Sequence, residues 1–243
     1  MKKISILCLS VILLTFSNCT VQNRAQMGNI LKDVVIGNPS TIEINQGLKQ
    51  ALEIGVAQGA NRLSAKDGFL GNMAVKILFP PEAAKIENTL RSMGLNSLAD
   101  NVILTINRAA EDAVKEAAPI FISAIKQMTI ADASNILLGG QDAATQYFKR
   151  VTTDQLMAKF KPVIVNSLGD VGATKYWGDV ITRYNSIPLV KSVNPDLSEY
   201  VAQKAIDGLF LEIAQEELKI RGNAANRSTL LLQKVFGYAD RLK

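Results

Sequence analysis

Residues 107–160 read NRAAEDAVKEAAPIFISAIKQMTIADASNILLGGQDAATQYFKRVTTDQLMAKF. Just before and within this stretch, Val102, Ile106, Ala109, Ala110, Ala113 and Ala117 recur at helical spacing and make one apolar face. Arg108, Glu111, Asp112 and Lys115 make the opposite, solvated face. Arg108 is spaced to pair with Asp112, and Glu111 with Lys115, each pair adding a few tenths of a kcal/mol. Pro119 removes a backbone donor, so the helix is expected to kink or split there, with Ile120 to Met128 continuing beyond it. Thr129-Ile130-Ala131-Asp132 has the form of a capping box and opens a short helix that Gly139-Gly140 ends. Asp142 can cap the next helix, which carries Thr145, Tyr147 and Phe148. The Gly-Gly step is either an anion-binding corner built from free N–H groups or a plain helix–turn–helix corner, and no phosphate-loop Lys-Ser/Thr follows it. Thr152-Thr153-Asp154-Gln155 reads as a further capping box, opening a helix to about Leu168 with Pro162 inside it.

The same grammar extends outward in both directions. Ser40-Thr41-Ile42-Glu43 is a capping box for a helix to about Arg62, with Leu48, Ala51, Leu52 and Val56 on its apolar side. Gly55 and Gly59 lie on that side too, at a cost of about 1 kcal/mol each that a close helix crossing would offset. Asp67-Gly68 opens a break. Met73 to Phe79 is extended in character, as a short strand or a covering loop, and Pro80-Pro81 forbids a helix across it. A helix over Glu82 to Met93 ends at Gly94, and the next begins near Ser97. Towards the C-terminus, Gly169 and Gly172 break the chain. Lys175 to Asn185 forms a helix with the only tryptophan, Trp177. Asp196 caps a long helix to Arg221, and Ser228 to Phe236 forms a last, strongly apolar helix that docks into the core. The fold class is therefore all-α: one multi-helix bundle over residues 40–243, with kinked helices and an extended segment near 73–79.

Residues 1–18 read as a targeting segment. Lys2 and Lys3 precede an apolar run of 13 residues, Ile4 to Phe16. Such a run is shorter than the about 20 residues needed to span a bilayer and fits a secretory signal. Phe16-Ser17-Asn18-Cys19 resembles a bacterial lipobox: Ser17 fits, while Phe16 and Asn18 depart from the common Leu and Gly or Ala. Cys19 is the expected lipidation site, residues 19–39 the tether, and the absence of Asp after Cys19 favours an outer-membrane lipoprotein facing the periplasm. The alternative is an ordinary exported protein. Cys8 and Cys19 are the two cysteines of the chain, so export would leave no disulfide or redox pair. Losing Lys2 and Lys3 lowers the formal charge from +5 to +3, spread thinly, which is no nucleic-acid footprint.

The chain contains no histidine. Ser-His-Asp and Cys-His catalysis and histidine zinc sites are excluded. No EF-hand loop, dinucleotide fingerprint or nucleotide loop occurs, and no cofactor is expected. Paired carboxylates, Ser-Lys chemistry and carboxylate-held Mg or Ca stay open. The helix to Arg221 sets Glu216 and Glu217 on the two margins of its apolar face, with Glu217 one turn from Arg221. They are either edge glutamates reaching water or a partly buried ion-pair cluster. The candidate polar cluster is Arg108, Glu111, Asp132, Asp207, Glu217 and Arg221. The candidate groove is Phe121, Ile125, Tyr147 and Phe148, beside the proline-interrupted helices.

The runs NRAAEDA, API-F-AI at Ala118 to Ile125, MTIADASNIL, ATQYF, DGLF-EIA-EE at Asp207 to Glu217, and LLQKVFG resemble an exported bacterial family known as domain-of-unknown-function family 4197. The resemblance covers roughly Lys49 to Gly237. It implies an all-helical domain, often behind a signal or lipidation sequence, and assigns neither activity nor catalytic residues. The expected function is a membrane-tethered, non-enzymatic envelope protein that holds an apolar ligand or a protein partner between helices. The alternatives are a carboxylate-based hydrolase or lyase, and a purely structural scaffold.

Overall fold

The computed structural model describes residues 37–169, 177–178, 181–182, 185–186, 192–194 and 196–242. The signal segment, Cys19 and nearly all of the tether lie outside these residues, as does part of the helix expected over Lys175 to Asn185. Among the described residues there are eight α-helices and no strand: α1 Thr41–Ser64, α2 Ala84–Ser92, α3 Asn96–Val114, α4 Ala117–Gln127, α5 Ile130–Leu138, α6 Ala143–Gly169, α7 Leu197–Gly222 and α8 Leu230–Arg241. None of them is long and apolar enough to cross a membrane. The all-α bundle expected from the sequence is what the chain forms.

Side-chain N-caps set four of the eight helix starts among the described residues. Ser40 and Glu43 close a reciprocal capping box on α1, and Thr129 and Asp132 do the same on α5. Asp196 caps α7 through the Ser198 N–H, and Thr229 caps α8 through the Leu232 N–H. The last helix thus begins two residues later than Ser228 and runs past Phe236 to Arg241. Gly94 stops α2 with φ +79°. There Leu95 N–H bonds the Leu90 carbonyl at 2.9 Å and Gly94 N–H bonds the Arg91 carbonyl at 3.0 Å, the paired closure of a Schellman motif.

The two prolines behave differently. At Pro119 the helix splits outright: α3 ends at Val114, and Pro119 becomes the third residue of α4. In a first turn the missing N–H has no intrahelical acceptor to lose. Pro162 lies inside α6, which runs through it as one element. Phe160 and Ile164, on either side, are fully buried and anchor both halves in the core. The capping box expected at Thr152-Thr153-Asp154-Gln155 does not form. Thr152 and Thr153 instead return their hydroxyls to the carbonyls of Phe148 and Lys149, at 2.7 and 2.6 Å, in mid-helix.

Helices α6 and α7 pack together at the centre, α3 lies against both and α1 against α7, and α4, α5 and α8 close the remaining sides around α1. The α1–α7 crossing is tight where the glycines predicted it. A Cβ on Gly55 would meet Glu216 Cβ at 3.6 Å, and one on Gly59 would meet Glu212 Cβ at 3.5 Å.

Between α1 and α2 the chain forms a strap that crosses α3 and α7, so the segment near 73–79 is the covering loop rather than the strand. Phe69, Val75, Ile77 and Phe79 are buried beneath it. Asn107 of α3 does the work of a neighbouring strand: it accepts from Ile77 N–H at 2.9 Å and donates to Ile77 C=O at 2.8 Å. Trp177, also buried, tilts against Phe79 with ring centroids 5.5 Å apart.

Candidate functional site

Helix α7 carries the chemistry of the interior. On one flank, Glu212 and Glu216 face α1. Both carboxylates bind Arg62, Glu216 at 2.7 Å, and Lys219 adds a second contact to Glu216 at 2.7 Å. Asn72 of the strap donates to Glu212 at 3.2 Å. Burial pushes the Glu216 carboxyl up, but the hydrogen bonds from Lys219 and Arg62 outweigh it and hold it below the usual carboxylate range.

On the other flank, Glu217 reaches the start of α6. One oxygen accepts from Ala144 N–H at 2.9 Å and from Arg221 Nε at 2.9 Å. The other accepts from both the N–H and the hydroxyl of Thr145, each at 2.9 Å. Arg221 turns its Nη1 and Nη2 to the carbonyls of Leu137 and Ile136, at 3.1 and 2.7 Å, at the C-terminal end of α5. The pair spans the Gly139-Gly140 corner with each charge where a helix dipole favours it: the anion at a helix start, the cation at a helix end. The corner is therefore an anion site filled from within the protein. Asp142, expected to cap α6, instead accepts from the Gln146 side chain at 2.9 Å.

The six polar candidates do not form one cluster. Glu217 and Arg221 meet, and they are buried rather than reaching water from the helix edge; Glu216 is buried as well. Arg108 and Glu111 meet elsewhere, at 2.6 Å, with Asp67 as the second partner of Arg108 at 2.6 Å. Lys115 pairs with Asp112. The pairings thus run at i,i+3 rather than the i,i+4 expected, and Glu111 is not on a solvated face. It is 3% exposed, and it accepts the N–H groups of Phe69 and Leu70 at 3.1 and 3.4 Å. The strap's backbone donors draw it inward. Asp132 is spent in its capping box, and Asp207 is exposed and accepts from Gln203 at 2.9 Å. The residues missed are Arg62 and Glu212. Their one sequence signal is the pairing of Gly55 and Gly59 on α1 with Glu212 and Glu216 at the same four-residue spacing on α7.

Three of the expected groove residues, Phe121, Ile125 and Tyr147, lie in the core, while Phe148 is buried but lines a cleft. Phe121 meets Phe148 edge-on at 5.0 Å and Phe210 at 6.2 Å, and Tyr147 OH donates to the Ala124 carbonyl at 3.2 Å. That cleft lies between α1, α6, α7 and α8, and of the expected groove residues it includes Phe148. Leu48, Leu52, Val56, Phe148, Ile213 and Phe236 form its walls, and Glu217 and Arg221 its charged edge. Its volume of about 20 Å³ accepts one methyl- or water-sized group as it stands. Among the described residues, no group of three or more carboxylates or thiols could hold a metal ion.

A family model described as a protein of unknown function (DUF4197) matches residues 38–237. No curated protein and no solved structure matches the chain.

Proposed function

We propose, for a chain that belongs to the DUF4197 family, a non-enzymatic binding domain of the cell envelope that takes an apolar group into the cleft between α1, α6, α7 and α8. A lipid on Cys19 would tether it to the outer membrane on the periplasmic side, where apolar ligands concentrate. The observation that carries this reading is the cleft itself: its walls are aliphatic and aromatic, and its two charged residues are spent on each other and on helix ends. Helix α8, which supplies Phe236, rests chiefly on α1. A chain longer than one methyl group would enter only if this wall moved. Against the alternative of a carboxylate-based hydrolase or lyase, Glu111, Glu212, Glu216 and Glu217 each already accept hydrogen bonds or ion pairs from a cation, backbone N–H groups or both.

Native mass spectrometry of the full chain released from its own membrane tests the reading. An apolar adduct is expected. Phe236→Ala should increase its occupancy by widening the cleft, and Leu52→Trp should remove it while helix content stays unchanged. Bare polypeptide in all three, with no uptake of a fluorescent acyl probe, would overturn the cleft and leave partner binding or scaffolding.

A further inference from the structure

The cleft's charged edge is already paired within the protein. All three guanidinium nitrogens of Arg221 are engaged: Nε by Glu217, Nη1 by Leu137 C=O, and Nη2 by Ile136 C=O and Glu217. Both oxygens of Glu217 are engaged as well, by Ala144, Thr145 and Arg221. A carboxylate head brought into this cleft would find a cation already neutralised and would lose its water without compensation. Apolar walls with a self-cancelling ion pair suit an uncharged chain end.

Resting on the cleft reading above, we propose that the site selects its ligand by an uncharged aliphatic terminus and gives no hold to an acidic head group. The ligand class is a neutral hydrocarbon chain, or the methyl end of a lipid whose head stays in water.

Calorimetric titration of the full chain with 1-decanol and with decanoate at pH 8 tests this. The two share a chain length, so both should bind within about threefold of each other, because equal apolar area is buried. Decanoate binding about tenfold tighter or more would show that Arg221 is available to an acid, and would overturn the selectivity while leaving the cleft in place. Binding of neither probe would overturn the cleft itself and the selectivity with it. In Glu217→Gln, checked for native helix content, Arg221 loses its counter-charge, and decanoate should then become the preferred ligand. An unchanged ratio in that folded variant would also count against the proposal.

Discussion

Glu217 on α7 and Thr145 on α6, 72 residues apart in the chain, form a two-point clamp: one carboxylate oxygen takes both the N–H and the hydroxyl of Thr145, each at 2.9 Å. The carboxylate thereby caps a helix to which it does not belong. The core is organised around that graft, because the same side chain, with Arg221, also ties the end of α5 to the start of α6.

Removing half of this buried pair should be severe. Glu217→Ala leaves Arg221 without its counter-charge and strips α6 of its cap, and a loss of about 3–5 kcal/mol is expected in urea unfolding. Arg221→Ala should cost a similar amount, and the double variant less than the sum of the two. A loss below about 1 kcal/mol for either single variant is the behaviour of an exposed pair and would contradict the assignment.

Two helical glycines should respond in opposite directions to alanine. At Gly55 the added Cβ finds ordinary contact at 3.6 Å, so Gly55→Ala should raise stability by about 0.5–1 kcal/mol through helix propensity. At Gly208 the Cβ would stand 2.9 Å from the Phe69 ring and 3.3 Å from Val75. Gly208→Ala should therefore lower stability, by about 1–2 kcal/mol once the propensity gain is set against overpacking. Chemical denaturation of both variants checks the signs; a gain in both would show that the strap yields, and a loss in both would show that the α1–α7 crossing has no room at Gly55.

Acid should weaken the fold through its depressed carboxyls. Hydrogen bonds from Lys234, then from the Ser40 backbone and hydroxyl, lower Glu43 from an ordinary 4.5 to about 2. The unfolded chain therefore takes up this proton first as pH falls. The contribution is fully present above pH 4.5 and is lost as pH falls through about 2. Glu216, Asp132 and Asp196 are held low in the same direction. Melting temperatures of the wild type should drop across that window, and Glu43→Gln should show a shallower drop. Parallel curves would remove Glu43 from the cause.

Helix content should not depend on metal. The capping boxes and the apolar core account for the fold, and among the described residues no metal-ligating group of three exists. Circular dichroism before and after chelation should superimpose; a substantial loss of helix would expose a carboxylate site overlooked in the chain.

Lipidation is tested in the intact cell. Labelled palmitate should enter the wild type and not Cys19→Ala. Equal incorporation in both would reduce Phe16-Ser17-Asn18-Cys19 to a chance match.

Much of the fold was legible because its determinants are local. The capping boxes at Ser40 and Thr129, the caps of α7 and the stop at Gly94 depend on residues within five positions of one another, so spacing alone reveals them. The apolar face of Leu48, Leu52 and Val56 is a matter of helical period. The misreadings were local signals that a neighbour outvoted. Thr152-Thr153-Asp154-Gln155 carries capping chemistry, yet Phe148, Leu156 and Phe160 bury α6 continuously across it. Burial of a helix face then outweighs a cap worth about 1 kcal/mol.

By itself, then, the sequence determined an all-α chain, where most of its helices begin and end, and the absence of histidine chemistry. Only the tertiary structure decided which carboxylates are buried and what holds them. Glu216 and Glu217 are adjacent and chemically identical, and each sits on a margin of the same helix face. One turns to Arg62 on α1 and the other to the N–H groups of α6, because the partner that satisfies a buried charge comes from a helix distant in sequence. The location of the cleft is likewise a property of four helices at once. Phe121, Ile125 and Tyr147 lie in filled core, while Leu52 and Phe236, remote in the chain, face a gap, because packing space depends on how helices meet and not on the residues of any one of them.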